Sequence, residues 1–111
     1  MRPYEVMIIL DADLDEEAIR SNVDRYTQVI KDRGAEPGYL DLWGKRRFAY
    51  EINHKTEGFY VVLQAMAEPA AMDELHRVLS LADEVIRHKV LRVPPEVYGP
   101  PKGASTAAAE A

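Results

Sequence analysis

The residues best suited to chemistry lie together in one stretch: Leu42-Trp43-Gly44-Lys45-Arg46-Arg47-Phe48-Ala49-Tyr50-Glu51-Ile52. Three consecutive cations flanked by aromatics suit phosphate contact, because a guanidinium presents a planar fork to two oxygens at once. The rings can stack on bases or fill a protein partner's pocket. Equally, such charges can protect an edge strand from aggregation. A second basic cluster comprises Arg87, His88, Lys89 and Arg92. Alternation along a strand sends Arg46 to one face and Lys45 and Arg47 to the other, with Gly44 resetting the register through a bulge.

Other chemistries lack their residues. There are no cysteines, so disulfides, thiolate metal sites and cysteine nucleophiles are excluded. His54, His76 and His88 fall on a loop, a helix and a strand, and none pairs with another at a metal-ligand spacing. Ser21, Ser80 and Ser105 stand outside any nucleophile elbow, and no glycine-rich phosphate loop exists. The carboxylates from Asp11 to Glu17 do not match a calcium loop, which needs a glycine at its sixth position. As a loop after the first strand they would repel a phosphate. No metal, cofactor or catalytic residue is expected.

Those candidate residues need a scaffold. A chain of 111 residues, 47% hydrophobic and 30% charged, suits one soluble domain. No apolar run reaches the ~20 residues that span a bilayer, and no signal-peptide cleavage site follows the N-terminus, so the expected compartment is the cytoplasm. The net charge of −5 is unevenly placed. Residues 1–42 hold five basic against ten acidic side chains, and the remainder is balanced.

Tyr4 to Leu10 reads as a strand with Tyr4, Val6, Ile8 and Leu10 on one face and Glu5, Met7 and Ile9 on the other. A helix is predicted over Leu14 to Arg33, capped by Asp13 with Glu16 three positions on. Ile19, Val23, Tyr26 and Ile30 form its apolar stripe, and Gly34 ends it. Gly38 to Ile52 reads as a long strand, His54 to Gly58 as a polar turn, and Phe59 to Ala67 as its hairpin partner. Its opening residues loosely match the aromatic strand of the RNA-recognition motif but lack that motif's leading cation. Pro69 opens a second helix with Met72, Leu75 and Leu79 inward, flanked by Ala71 and Val78. Val85 to Val93 is the fourth strand. Residues 94–111, rich in Pro, Gly and Ala, read as a mobile tail. The order β-α-β-β-α-β is the ferredoxin-like unit, an α+β fold with a four-stranded antiparallel sheet and two helices on one face. Its other sheet face, partly apolar and partly basic, is expected to meet a partner.

The opening Met1-Arg2-Pro3-Tyr4-Glu5, the run Trp43 to Ile52, Gly58, the helix ending near Leu79 and the strand Val85-Ile86-Arg87 together resemble the bacterial small-subunit ribosomal protein S6 family. The resemblance covers residues 1–93, the expected domain. Phe48 stands where that family commonly has leucine, and the tail has no firm match. The resemblance implies a non-enzymatic structural protein of the cytoplasmic small ribosomal subunit. It would bind the central domain of 16S ribosomal RNA together with ribosomal protein S18 during assembly. Arg2, Arg46, Arg47 and Arg87 match basic positions of the family. Lys45, Lys89 and Arg92 are added as RNA-contact candidates on charge and position. Trp43, Tyr50 and Tyr60 are candidates for packing against the protein partner, though each equally suits a core. A reading from another class stays open: a ferredoxin-like regulatory or small-ligand-binding domain that homodimerises through its open sheet face. It leaves Lys45-Arg46-Arg47 beside Trp43 unexplained. An enzyme on this scaffold would need a nucleophile–base pair that the sequence lacks.

Overall fold

The computed structural model describes residues 1–52, 54–95 and 98. Its elements run β1 (Arg2–Asp11), α1 (Glu16–Lys31), β2 (Glu36–Ile52), β3 (Lys55–Ala67), α2 (Pro69–Leu81) and β4 (Val85–Arg92). The sheet order is β2-β3-β1-β4 with every neighbouring pair antiparallel, so the ferredoxin-like topology is present. β1 and β3 are central, and β2 and β4 are the edges.

One face of β1 explains the arrangement. Tyr4, Val6, Ile8 and Leu10 alternate toward the helices and are buried. Directly opposite on β3 stand Ala65, Leu63, Val61 and Phe59. The α1 stripe (Ile19, Val23, Tyr26, Ile30) and the α2 stripe (Ala71, Met72, Leu75, Leu79) close over them in one cluster. Removing a Leu, Ile or Val side chain from water contributes about 1.5–3 kcal/mol. This single layer contact therefore supplies most of the drive to fold.

The helix boundaries differ from the sequence expectation for local reasons. Asp15, not Asp13, caps α1: its carboxylate accepts from the Ala18 N–H at 2.7 Å. Asp13 instead belongs to a turn in which its own N–H donates to Asp11 Oδ1 at 2.9 Å. Helix α1 ends by Asp32, and Gly34 turns the chain with φ +85°, a conformation suited to glycine. Pro69 occupies the first turn of α2, as expected. Strand β3 begins at Lys55 rather than Phe59. The polar turn is thus shorter than 54–58, and His54 takes φ 63° within it. Of the expected tail, only Pro94, Pro95 and Tyr98 are among the described residues. Tyr98 lies against Gly38 on β2, where a Cβ would collide with its hydroxyl.

A polar latch joins α1 to the start of β4. Tyr26 is buried, yet its hydroxyl donates to Glu84 Oε2, and Arg25 pairs with the same carboxylate at 2.5 Å. Burial pushes the Tyr26 hydroxyl well above its ordinary pKa, and Glu84 pushes it further. Burial alone would raise Glu84, but the Tyr26 hydrogen bond and Arg25 outweigh it and hold the carboxyl below its ordinary 4.5. A depressed carboxyl pKa stabilises the fold above the unfolded value, and that contribution is lost as pH falls through the folded one. Tyr26→Phe is expected to cost about 1–2 kcal/mol at pH 7. The difference from the parent should narrow below pH 4.5, as Glu84 protonates in both; denaturant titration at pH 7 and pH 3 measures it.

Candidate functional site

The face of the sheet away from the helices has no layer over it, yet it is not polar. Ile9 and Val62 are buried there without joining the helix-side core. The strand register lays out rows of side chains across it. Arg87, Ile9, Tyr60 and Gly44 form one row, running from β4 through β1 and β3 to β2. Lys89, Met7, Val62 and Asp41 form the next, and Asp11, Gly58 and Arg46 flank the first on its other side.

At the centre of this face Tyr60 is the middle ring of three. Trp43 lies parallel to it, 4° between planes and 6.2 Å between centroids. Phe48 is tilted by 56° at 6.3 Å. These separations fall within the attractive range for aromatic pairs. Trp43 reaches this position because it is the extra residue of a bulge: β3 pairs with Leu42 and then with Gly44. Gly44 carries φ +93°, which reorients the strand at little cost for glycine alone. The indole N–H of Trp43 donates to Asp41 Oδ2 at 2.8 Å, which fixes the ring's orientation. Gly58 has a different purpose. A Cβ there would lie 2.5 Å from Ile9 Cγ2 and 2.9 Å from Phe48 Cζ, so its missing side chain is what lets both side chains close over the strand at this point.

Beside Trp43, the Tyr60 and Phe48 rings border a concavity of about 330 Å³ that Met7, Ile9, Tyr50 and Ile52 also line. Arg47, Arg87 and Lys89 also line it. Tyr50 stands at its rim, 66% exposed. Arg46 belongs to the same face, in the Gly58 row, with Nη1 donating to the Lys45 carbonyl at 3.1 Å. The structure thus gathers Trp43, Tyr60, Tyr50, Arg46, Arg47, Arg87 and Lys89 around one surface.

Three of the sequence candidates lie elsewhere. Lys45 pairs with Phe59 and so points to the helix side, where it lines a cleft with Leu14, Asp15, Glu16 and Leu42. Arg92 pairs with Tyr4, and Arg2 with Ala67, both in helix-side rows. Arg47 would share the Lys45 face by alternation. Arg47 is still in register with Glu57, and it borders the concavity at the hairpin end, just before the β2–β3 ladder slips. Sequence reasoning did not name Phe48, Met7 and Ile9 as site residues. A period of two was there to find them: Arg46, Phe48 and Tyr50 alternate on β2, as Met7 and Ile9 do on β1.

The acidic segment before α1 is occupied with its own structure. Lys55 Nζ lies 3.3 Å from Asp11 and 3.8 Å from Asp13. The Asp13 N–H holds the Asp11 carboxyl below its ordinary pKa against partial burial, with help from Lys55. Among the described residues no group of three or more His, Asp or Glu side chains could hold a metal ion. None of their helices is long and apolar enough to cross a membrane.

An antiparallel sheet backed by helices on one side, with rings and cations on the other, defines a ferredoxin-like binding module. Comparison with known proteins places the chain more narrowly. The family described as ribosomal protein S6 matches residues 3–92. The small ribosomal subunit protein bS6 of Desulforamulus reducens is 47% identical over 92 residues, covering 83% of this chain and 97% of that protein. Its counterpart in Salinispora arenicola is 48% identical over 97 residues, covering 87% and 99%. The 30S ribosomal protein S6 of Thermotoga maritima superposes with a TM-score of 0.79 at 30% identity, over 83% of this chain and 87% of that one. The C-terminal domain of the MgtC protein of Mycobacterium tuberculosis, at 16% identity and TM-score 0.57, shares the fold alone. The chain belongs to the ribosomal protein S6 family of the small ribosomal subunit, a family of structural proteins rather than enzymes.

Trp43 is the single tryptophan, so its emission reports on this face. Tyr60→Ala removes the central ring and should destabilise the fold by about 3 kcal/mol or less, Tyr60 being only half-buried. The native-state emission of Trp43 should shift to the red as its stacking partner is replaced by water; fluorescence and denaturant titration check both.

Proposed function

We propose that the open sheet face is the surface through which this chain joins the assembling small subunit. The aromatic concavity receives a basic protein partner, ribosomal protein S18 by family resemblance, and the surrounding cations contact the central domain of 16S ribosomal RNA. The observation that carries the reading is the gathering of Arg46, Arg47, Arg87 and Lys89 around the Trp43–Tyr60–Phe48 rings, in a family of ribosomal proteins. An apolar centre with a charged rim is the anatomy of a protein interface, and arginines at such a rim suit phosphate.

Charge supports a paired mode of binding. At −5 overall, the chain repels an RNA backbone at long range. Its acidic excess lies in residues 1–42; Asp11 and Asp41 of that stretch stand in rows of the open face, where the cations Arg46, Arg87 and Lys89 also lie. A basic partner docked on that face would supply the cation density that this chain lacks. RNA recognition would then rest on backbone and shape rather than base sequence. The chain contributes a scaffold and needs no cofactor, no small-molecule substrate and no membrane. Residues 1–93 would carry this activity. Its place of action is the cytoplasmic ribosome.

Replacing Arg46, Arg47 and Arg87 together by alanine tests the reading. Binding to a central-domain RNA fragment with S18 present should weaken. The slope of log affinity against log salt should become shallower by roughly 0.7–0.9 for each phosphate no longer neutralised. Trp43 emission should stay native, which separates weakened binding from unfolding. Unchanged affinity and slope in the folded triple variant would overturn the assignment. A tight homodimer of the parent chain in sedimentation, blocked by the same variant, would favour the regulatory-domain reading instead.

A further inference from the structure

His76 and His88 come from different elements, and the fold brings them together on the helix side of β4, away from the open face. His88 shares a row with Ile8 on the helix-facing side of an edge strand, and His76 lies on the exposed side of α2. Nε2 of His88 stands 2.8 Å from Nδ1 of His76, with ring centroids 4.8 Å apart and planes inclined by 58°. Across this contact one nitrogen donates a proton and the other accepts it.

We propose that His76 and His88 form an open two-nitrogen chelate for a late first-row divalent metal, with copper(II) preferred and zinc weakest. Metal–nitrogen bonds of about 2.0 Å meeting at the right angle of a tetragonal centre place two donors about 2.8 Å apart. That is the separation already present. A tetrahedral centre needs donors about 3.3 Å apart, so zinc would require the two rings to move apart by about 0.5 Å. Both rings offer a lone pair once the shared proton has moved, through solvent, to the other nitrogen of its own ring. This tautomer change makes and consumes no net proton.

The surroundings suit an exchangeable ion. Among the described residues no further His, Asp or Glu completes a cluster of three, so water fills the remaining positions. His76 is exposed, so water and metal reach the pair directly. Arg77, the nearest cation along α2, is turned to Glu74 at 2.6 Å, and Asp73 stands one turn before His76. Arg87 and Lys89 point to the opposite face of β4.

The test is titration of the full-length chain with copper(II), nickel(II) or zinc(II) at pH 7.5 against glycine as competing chelator, with copper(II) paramagnetic resonance on the one-equivalent complex. The expected result is one bound copper coupled to two imidazole nitrogens, tighter than nickel or zinc. Affinity should fall at least about tenfold in His76→Asn and in His88→Asn, and stay unchanged in His54→Asn. His76 is exposed, so its variant remains folded and decides the matter even if His88→Asn does not fold. Parent-like affinity in His76→Asn, or copper held equally by the double variant at the amino terminus, would overturn the proposal. Zinc binding as tightly as copper would overturn the geometric argument.

Discussion

The structure depends on an imbalance of layers. Two helical stripes cover one face of a four-stranded sheet, and nothing in the chain's described portion covers the other. β1 lies at the centre of that sheet and is apolar on both sides, with Val6, Ile8 and Leu10 toward the helices and Ile9 away from them. The helix side meets the demand with aliphatic packing. The open side meets it with large flat rings, because a ring can shield a strand from above while leaving its own outer surface exposed. Stability and binding therefore use the same residues: Tyr60 and Phe48 protect the sheet and at the same time present the surface a partner would meet.

That economy rests on two glycines used in different ways. At Gly44 the requirement is conformational: a positive φ inside a strand lets Trp43 bulge out and turn onto Tyr60. At Gly58 the requirement is space, since Ile9 and Phe48 approach the backbone where a methyl would stand. Each glycine costs the unfolded chain's extra freedom. The cost is recovered through ring packing that no other residue at those positions would permit.

The charges differ in how they are held. The carboxylates around the start of α1 are engaged locally, by the Ala18 N–H, the Asp13 N–H and Lys55. They shape a loop and begin a helix. The cations of the open face are held on strands, where the register and not a flexible loop sets their spacing. A family of ribosomal proteins has reason to favour that arrangement, because folded RNA offers phosphates in a fixed pattern, and cations on rigid strands lose little freedom in meeting it.

The sequence by itself determined the element order, the two helix stripes and the inward row of β1. These follow from local periodicity, which depends on nothing outside the segment. It also marked the stretch Trp43 to Ile52 as the one to watch, and it carried enough family likeness to name the family. What depends on pairing was not legible in it. Asp13 had a good cap's chemistry, but a turn with Asp11 claimed it, and Asp15 took the role. Lys45, Arg2 and Arg92 were cations in the right neighbourhood. Only the register showed that these three stand in helix-side rows, while Arg47 borders the open-face concavity at the hairpin end. The histidines had no meaningful spacing along the chain, and yet α2 folds back on β4 and sets two of them 2.8 Å apart. Local pattern reports which way a side chain points within its own element. Which elements meet, and at what register, is decided by burial summed over the whole chain, and only the tertiary structure displays that sum.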